Sequence, residues 1–174
     1  MTASYSGGVR GVSGRDVHRI GLISDTHGLL RPDALAFLHG AERIIHAGDI
    51  GSPDILDALR ALAPVTAVRG NNDTGVWADG LAECARLEVG GVLIHVVHDL
   101  ASGGPNPGAR RVGAVISGHS HRPQVAERGG VLYVNPGSAG PRRFRLPISV
   151  GELRIDGGVV SARIVVLDRT AKSA

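Results

Sequence analysis

The sequence predicts an α/β protein built on a mostly parallel sheet, and three observations lead there. Apolar runs of β-forming residues at 20–23, 43–45 and 64–68 each stop abruptly at polar residues and glycine, the sequence form of strands covered on both faces. Between them lie segments of helical spacing, opened by Arg31-Pro32-Asp33 and by Ser52-Pro53-Asp54. This alternation requires right-handed crossovers, which bring the strand ends to one edge of the sheet. In open sheets of this kind ligands bind beyond the carboxyl ends of the strands.

Residues 1–18 are rich in Ser, Gly and Arg without an apolar period and read as a flexible N-terminal tail, with His18 in solvent. The tail lacks the apolar centre of a signal peptide. One domain, 19–168, follows, and then a polar C-terminal tail, 169–174. The first strand delivers Asp25 and His27 into a loop. The first helix carries Ala34, Leu35, Phe37 and Leu38 and closes at His39-Gly40, where the imidazole compensates the helix dipole. The second strand ends in Gly48-Asp49, and Gly48 permits a tight turn that points Asp49 back over the strand ends. Ser52 caps the second helix, whose Ile55, Leu56, Leu59 and Leu62 form an apolar stripe. The third strand runs into Arg69-Gly70-Asn71-Asn72-Asp73.

Beyond Trp77 the texture changes to hairpins: 85–89 with 92–97, 124–128 with 131–134, and 148–155 with 159–167. The first of these runs into His98-Asp99. The segment 102–108 is a loop with at most a short helix starting at Asn106-Pro107. A further buried strand, 113–117, delivers Gly118-His119-Ser120-His121.

Composition narrows the function. The 174 residues suffice for one domain with a sizeable core. Aromatic residues make up 3%, so the core is aliphatic and stacking on bases has few residues to work with. A net charge of +3 fits a phosphate-bearing ligand without supplying the concentrated basic face that a polyanion needs. Nucleic acid is therefore disfavoured as a partner. No stretch approaches the roughly 18 uninterrupted apolar residues of a membrane span, so no membrane partner is expected. The single cysteine, Cys84, suits a reducing cytoplasm and reads as a small buried or half-buried residue rather than a nucleophile. A homo-oligomer is compatible with all of this.

Five strand ends thus offer Asp25 and His27, Asp49, Asn71, His98, and His119 and His121. Carboxylate, carboxamide and imidazole without thiolate suit divalent Mn²⁺, Fe²⁺, Zn²⁺, Co²⁺ or Ni²⁺. This is more than one tetrahedral ion uses, whereas two ions sharing Asp49, roughly 3.5–4 Å apart, would employ them all.

The ordered set Asp25-x-His27, Gly48-Asp49, Gly70-Asn71-x-Asp73, His98 and Gly118-His119-x-His121 resembles the calcineurin-like metallophosphoesterase superfamily. The short chain is similar to its small YfcE-like phosphodiesterase branch of bacteria and archaea, and the match spans residues 20–143. The resemblance implies a four-layer α-β-β-α sandwich, two mixed β-sheets flanked by helices. It implies that Asp25, His27 and His121 hold one ion, that Asn71, His98 and His119 hold the other, and that Asp49 bridges them. It implies hydrolysis of a small phosphodiester by a metal-activated hydroxide, with Mn²⁺ the first choice of metal and Asp49 and Asn71 at the reacting centre.

Two departures stand out. Many phosphatases of the superfamily carry a histidine after the metal-binding asparagine, where it helps protonate the leaving group; here the residue is Asn72, which cannot. Esters with good leaving groups are then favoured. Second, Asp99-Leu100 follows His98 where the family commonly has glycine and often another histidine. Asp99 either orients His98 or turns the backbone, and the turn ranks higher. Asp73 reads as a supporting residue, and His46 and His95 as satisfied core histidines. Asn135-Pro136-Gly137-Ser138 resembles the family's terminal turn, either buttressing the site or touching substrate. Asn72, Arg142 and Arg143 are candidate substrate contacts. The rival reading is a non-catalytic scaffold of the same fold, of the kind a eukaryotic retromer subunit forms with partly degraded ligands; the complete ligand set here favours catalysis.

Overall fold

The structure, a computed structural model, describes residues 17–102 and 112–167. The expected loop and helix start at Asn106-Pro107 lie outside the described residues, as do most of both tails. Two five-stranded sheets make up the domain, so the mixed sandwich implied by the family resemblance holds and the reading of a mostly parallel sheet is corrected. Each sheet mixes parallel and antiparallel pairing.

In the first sheet β1 (Val17–Ile23), β2 (Arg43–His46) and β3 (Val65–Ala67) run parallel, linked by α1 (Pro32–Leu38) and α2 (Pro53–Arg60). A short α3 (Val76–Asp79) follows and leads to the second sheet, where β4 (Cys84–Val89) pairs antiparallel with β5 (Val92–Val97). β5, β6 (Val112–Ile116) and β8 (Val131–Asn135) run parallel, and β7 (Gln124–Arg128) closes the edge antiparallel to β8. The chain then returns to the first sheet as β9 (Ser149–Asp156), antiparallel to β1, with β10 (Val159–Val166) outside it.

Strand alternation sorts the apolar residues into layers. Ile20, Leu22, Ile45, Leu153 and Ile155 of the first sheet meet Ile94, Val96, Ala114, Ile116 and Val134 of the second in one aliphatic interior. The opposite face of the first sheet, with Ile23, Ile44 and Val150, is covered by Leu38 of α1 and by Ile55, Leu56 and Leu59 of α2. Ser52 caps α2 as expected, its hydroxyl accepting from the Asp54 N–H at 3.4 Å. Among the described residues, no helix is long and apolar enough to cross a membrane.

Two readings need correction. β1 begins at Val17, so His18 belongs to the sheet; it pairs with Ile155 of β9, and its Nδ1 lies 2.8 Å from Glu42 Oε2. Cys84 is exposed rather than buried, because it opens an edge strand whose alternate residues face outward.

Candidate metal centre

The parallel strands of both sheets end at one place. Backbone pairing continues past the strands: the Asp25 N–H donates to Gly48 O (3.0 Å) and the His27 N–H to Asp49 O (2.9 Å), while Gly118 N–H donates to His98 O (2.9 Å). Gly48 has φ +93, and a Cβ there would meet the His98 ring, so the position requires glycine twice over.

Two groups of side chains result. In the first, Asp25, His27, Asp49 and His121 bring one ligand atom each to within 4.8 Å of one another. His121 Nε2 lies 3.3 Å from Asp25 Oδ1, and the His27 and His121 Nε2 atoms are 3.2 Å apart. In the second group, Asn71 Oδ1 lies 3.0 Å from both His98 Nε2 and His119 Nδ1. Asp49 Oδ2 sits between the groups, 3.7 Å from His27 Nε2 and 3.5 Å from His98 Nε2. All seven ligand candidates read from the sequence are therefore brought together.

The electrostatics suit a cation. Burial pushes the Asp25 carboxyl up to about 7. Its Oδ2 accepts from Ser24 Oγ at 2.6 Å, but its Oδ1 is buried without a hydrogen-bond partner. A buried acceptor with no donor, surrounded by imidazole nitrogens, fits a bound cation better than it fits an apo core. Burial, reinforced by Arg143 and His27, lowers His121 to about 4, and burial also lowers His27. Both imidazoles are thus neutral near pH 7, as metal ligation requires. Burial alone would raise Asp49; hydrogen bonds from His98 and from the Asn72 amide and side chain outweigh it and hold the carboxyl below the usual range. For His98, whose burial favours the neutral ring, the Asp49 carboxylate prevails and raises the pKa.

The supporting residues are well defined. His98 Nδ1 donates to Ala47 O at 2.7 Å, leaving Nε2 facing the site. His46 is a satisfied core histidine: its Nε2 donates to Thr26 Oγ1 (2.9 Å), its Nδ1 accepts from Gly48 N–H (3.2 Å), and burial lowers it to about 3. Asp73 accepts from the N–H groups of Gly51 (2.9 Å) and Gly70 (2.8 Å), clamping two site loops. Asp99 does not reach His98. It accepts from the Ala101 N–H at 3.0 Å and so turns the backbone, while its Oδ2 stands 4.0 Å from His119 Nε2. The terminal turn buttresses the site: Asn135 Nδ2 donates to Gly118 O (2.6 Å) and Ser138 Oγ to Asp25 O (2.9 Å).

Asn72 donates to Asp49 twice, from its backbone N–H (2.8 Å) and from Nδ2 (2.6 Å). Arg142 and Arg143 are both exposed, and Arg143 Nη2 reaches to 3.4 Å from His27 Nε2. Sequence reasoning missed Ser24, whose hydroxyl serves Asp25, and Arg31, whose guanidinium holds Gly140 O at 3.2 Å. Ser24 precedes a buried acid directly, which was the available signal; Arg31 had none.

Fold and site together define a class, a two-sheet α/β sandwich with a nitrogen and oxygen ligand cluster where its parallel strands end. The calcineurin-like phosphoesterase superfamily domain matches residues 19–158, and the chain belongs to that family. A probable metallophosphoesterase of Methanothermobacter thermautotrophicus is 37% identical over 159 residues, covering 84% of this chain and 91% of its own. Among solved structures, a novel archaeal phosphodiesterase is similar with a TM-score of 0.68 at 24% identity, covering 86% of this chain and 99% of that one. Vps29 of Entamoeba histolytica, complexed with zinc, is similar with a TM-score of 0.60 at 23% identity, covering 86% and 99%. These two structural likenesses concern the fold.

Proposed function

We propose that the protein is a metal-dependent phosphodiesterase that hydrolyses small phosphodiesters in the cytoplasm at a pair of divalent ions, Mn²⁺ foremost. Asp25, His27 and His121 would hold one ion, Asn71, His98 and His119 the other, with Asp49 shared. The observation that carries the reading is the position of Asp49 Oδ2, 3.7 Å from His27 Nε2 in one group and 3.5 Å from His98 Nε2 in the other. Bound there, divalent ions would lower the pKa of water toward neutrality and offset charge on the phosphoryl oxygens.

The chain's own residues supply the rest. Asp49 stays ionised, and its two hydrogen bonds from Asn72 fix the carboxylate plane. His98 is held in one tautomer by Ala47 O. Arg143, at the rim beside His27, can pair with a phosphoryl oxygen, and the exposed Arg142 next to it in sequence is the second candidate contact. Asn72 carries no titrating proton, so a leaving oxygen of low basicity is favoured. The preference for diesters rests on the branch resemblance and on the phosphodiesterase among the structural relatives.

The test is hydrolysis of bis(p-nitrophenyl) phosphate with added Mn²⁺ or Ni²⁺. Turnover faster than on p-nitrophenyl phosphate is expected. Absence of both metal uptake and turnover across Mn²⁺, Ni²⁺, Fe²⁺, Co²⁺ and Zn²⁺ would overturn the reading in favour of a scaffold of the same fold.

A further inference from the structure

A cavity of about 390 Å³ opens directly beside the second group of ligand candidates. Asn71, His98 and His119 line it together with Arg69, Cys84 and Ser102. We infer that this cavity receives one ester arm of the phosphodiester, a compact group of nucleoside size, and so sets substrate specificity. The inference rests on the phosphodiesterase reading.

The placement follows from covalent and strand geometry. Arg69 is two residues before Asn71. Cys84 is the directly paired neighbour of Val97 across β4 and β5, and His98 is the next residue after Val97. Arg69 and Cys84 are therefore tied to the ligand candidates by one or two residues, so a phosphoryl group bound at the metal centre can direct one substituent into the cavity.

Size separates this cavity from its neighbour. A second depression, about 200 Å³, also borders His119 and touches no other ligand candidate. Small-molecule sites run to about 300–1,000 Å³, a range that includes the first and not the second. The wall is mixed, with more carbon than polar surface, and suits the flat face and polar edges of a nucleoside. It presents a thiol, a hydroxyl and the Asp99 carboxylate, with Val97 the sole aliphatic side chain among the described lining residues. Arg69 Nη2 lies 3.3 Å from Glu83 Oε1, and the Glu83 side chain is 84% exposed. A pair this exposed is weak, so the guanidinium can exchange Glu83 for an acceptor on the ligand.

Cys84 is the chain's single cysteine and is exposed, which makes it a selective chemical probe of the cavity. The Mn²⁺-loaded protein is treated with N-ethylmaleimide with and without thymidine 5′-phosphate, and labelling is followed by mass spectrometry. At ten times its dissociation constant the nucleotide should slow labelling about tenfold, while inorganic phosphate should not slow it. The labelled enzyme should show a raised KM for thymidine 5′-(p-nitrophenyl phosphate), with kcat little changed. It should keep its KM for methyl p-nitrophenyl phosphate, whose methyl arm fits the narrowed cavity. The Cys84→Ser variant should lose sensitivity to the reagent. Absence of protection, or a labelled enzyme that treats both diesters as before, would overturn the cavity assignment and leave the phosphodiesterase reading standing. Failure of the unlabelled protein to cleave either diester with any of the five metals would overturn both.

Discussion

Asp25, His27, Asp49, His119 and His121 hold φ of 53°, 45°, 53°, 66° and 56°, and among the described residues only Phe144 joins them as a non-glycine at positive φ. Such conformations cost about 1–3 kcal/mol each and persist where the surroundings impose them, typically at functional sites. Here the surroundings are the loop hydrogen bonds that continue the parallel pairing. The same residues set the pH response. The folded pKa of Asp25, about 7, lies above its ordinary 3.8, so its share of apo stability is full below the ordinary value and is lost as pH rises toward 7. A cation needs the ionised form, so metal affinity should rise with pH up to about 7 and uptake at pH 6 should release a proton. Calorimetry of Mn²⁺ binding in buffers of different ionisation enthalpy measures this; binding without proton release would contradict it. Asn72 gives a second prediction. The Asn72→His variant should gain on diesters with alkyl leaving groups relative to p-nitrophenyl ones, up to the roughly 10²–10⁴-fold range of general acid catalysis, as read from the ratio of kcat/KM values.

At the scale of elements, the parallel strands and their two helices were legible because each has a continuous apolar run or stripe with a glycine, proline or serine at its boundary. The ligand candidates were legible for the same reason, since a strand that ends in Asp, Asn or His shows where its side chain goes. What escaped depends on partners distant in sequence. His18 looks like tail until β9 pairs with it, more than a hundred residues away. Cys84 looks like core until β4 proves to be an edge strand. α3 is four residues long, too short to show a helical period. Close approach is equally invisible in one dimension: a Cβ on Gly70 would collide with the Asp49 backbone nitrogen and carboxylate. The Gly70→Ala variant should therefore lose Mn²⁺ affinity at least tenfold while keeping wild-type far-ultraviolet circular dichroism, because the loop must shift and the sheets need not.

Over the whole molecule, the return of β9 and β10 to the first sheet locks the domain and brings a buried carboxylate with it. The Glu152 side chain, 2% exposed, accepts from Arg19 Nε at 2.7 Å and from Arg163 Nε at 2.8 Å. Burial would raise its pKa, but the two guanidinium groups outweigh burial and hold it below the ordinary 4.5. A depressed carboxyl stabilises above its ordinary pKa and loses that contribution as pH falls through the folded value. Glu152→Gln should accordingly unfold more easily than wild type at pH 7, with the gap closing as pH falls below 4.5 in urea titrations. All of this architecture serves to bring the strand ends of two sheets to one carboxylate. The most direct test is titration of metal-free protein with Mn²⁺ while following both bound metal and hydrolysis of bis(p-nitrophenyl) phosphate. The account predicts activity that saturates near two ions per chain and is abolished, with the fold retained, in Asp49→Ala; saturation at one ion, or an active Asp49→Ala variant, would contradict it.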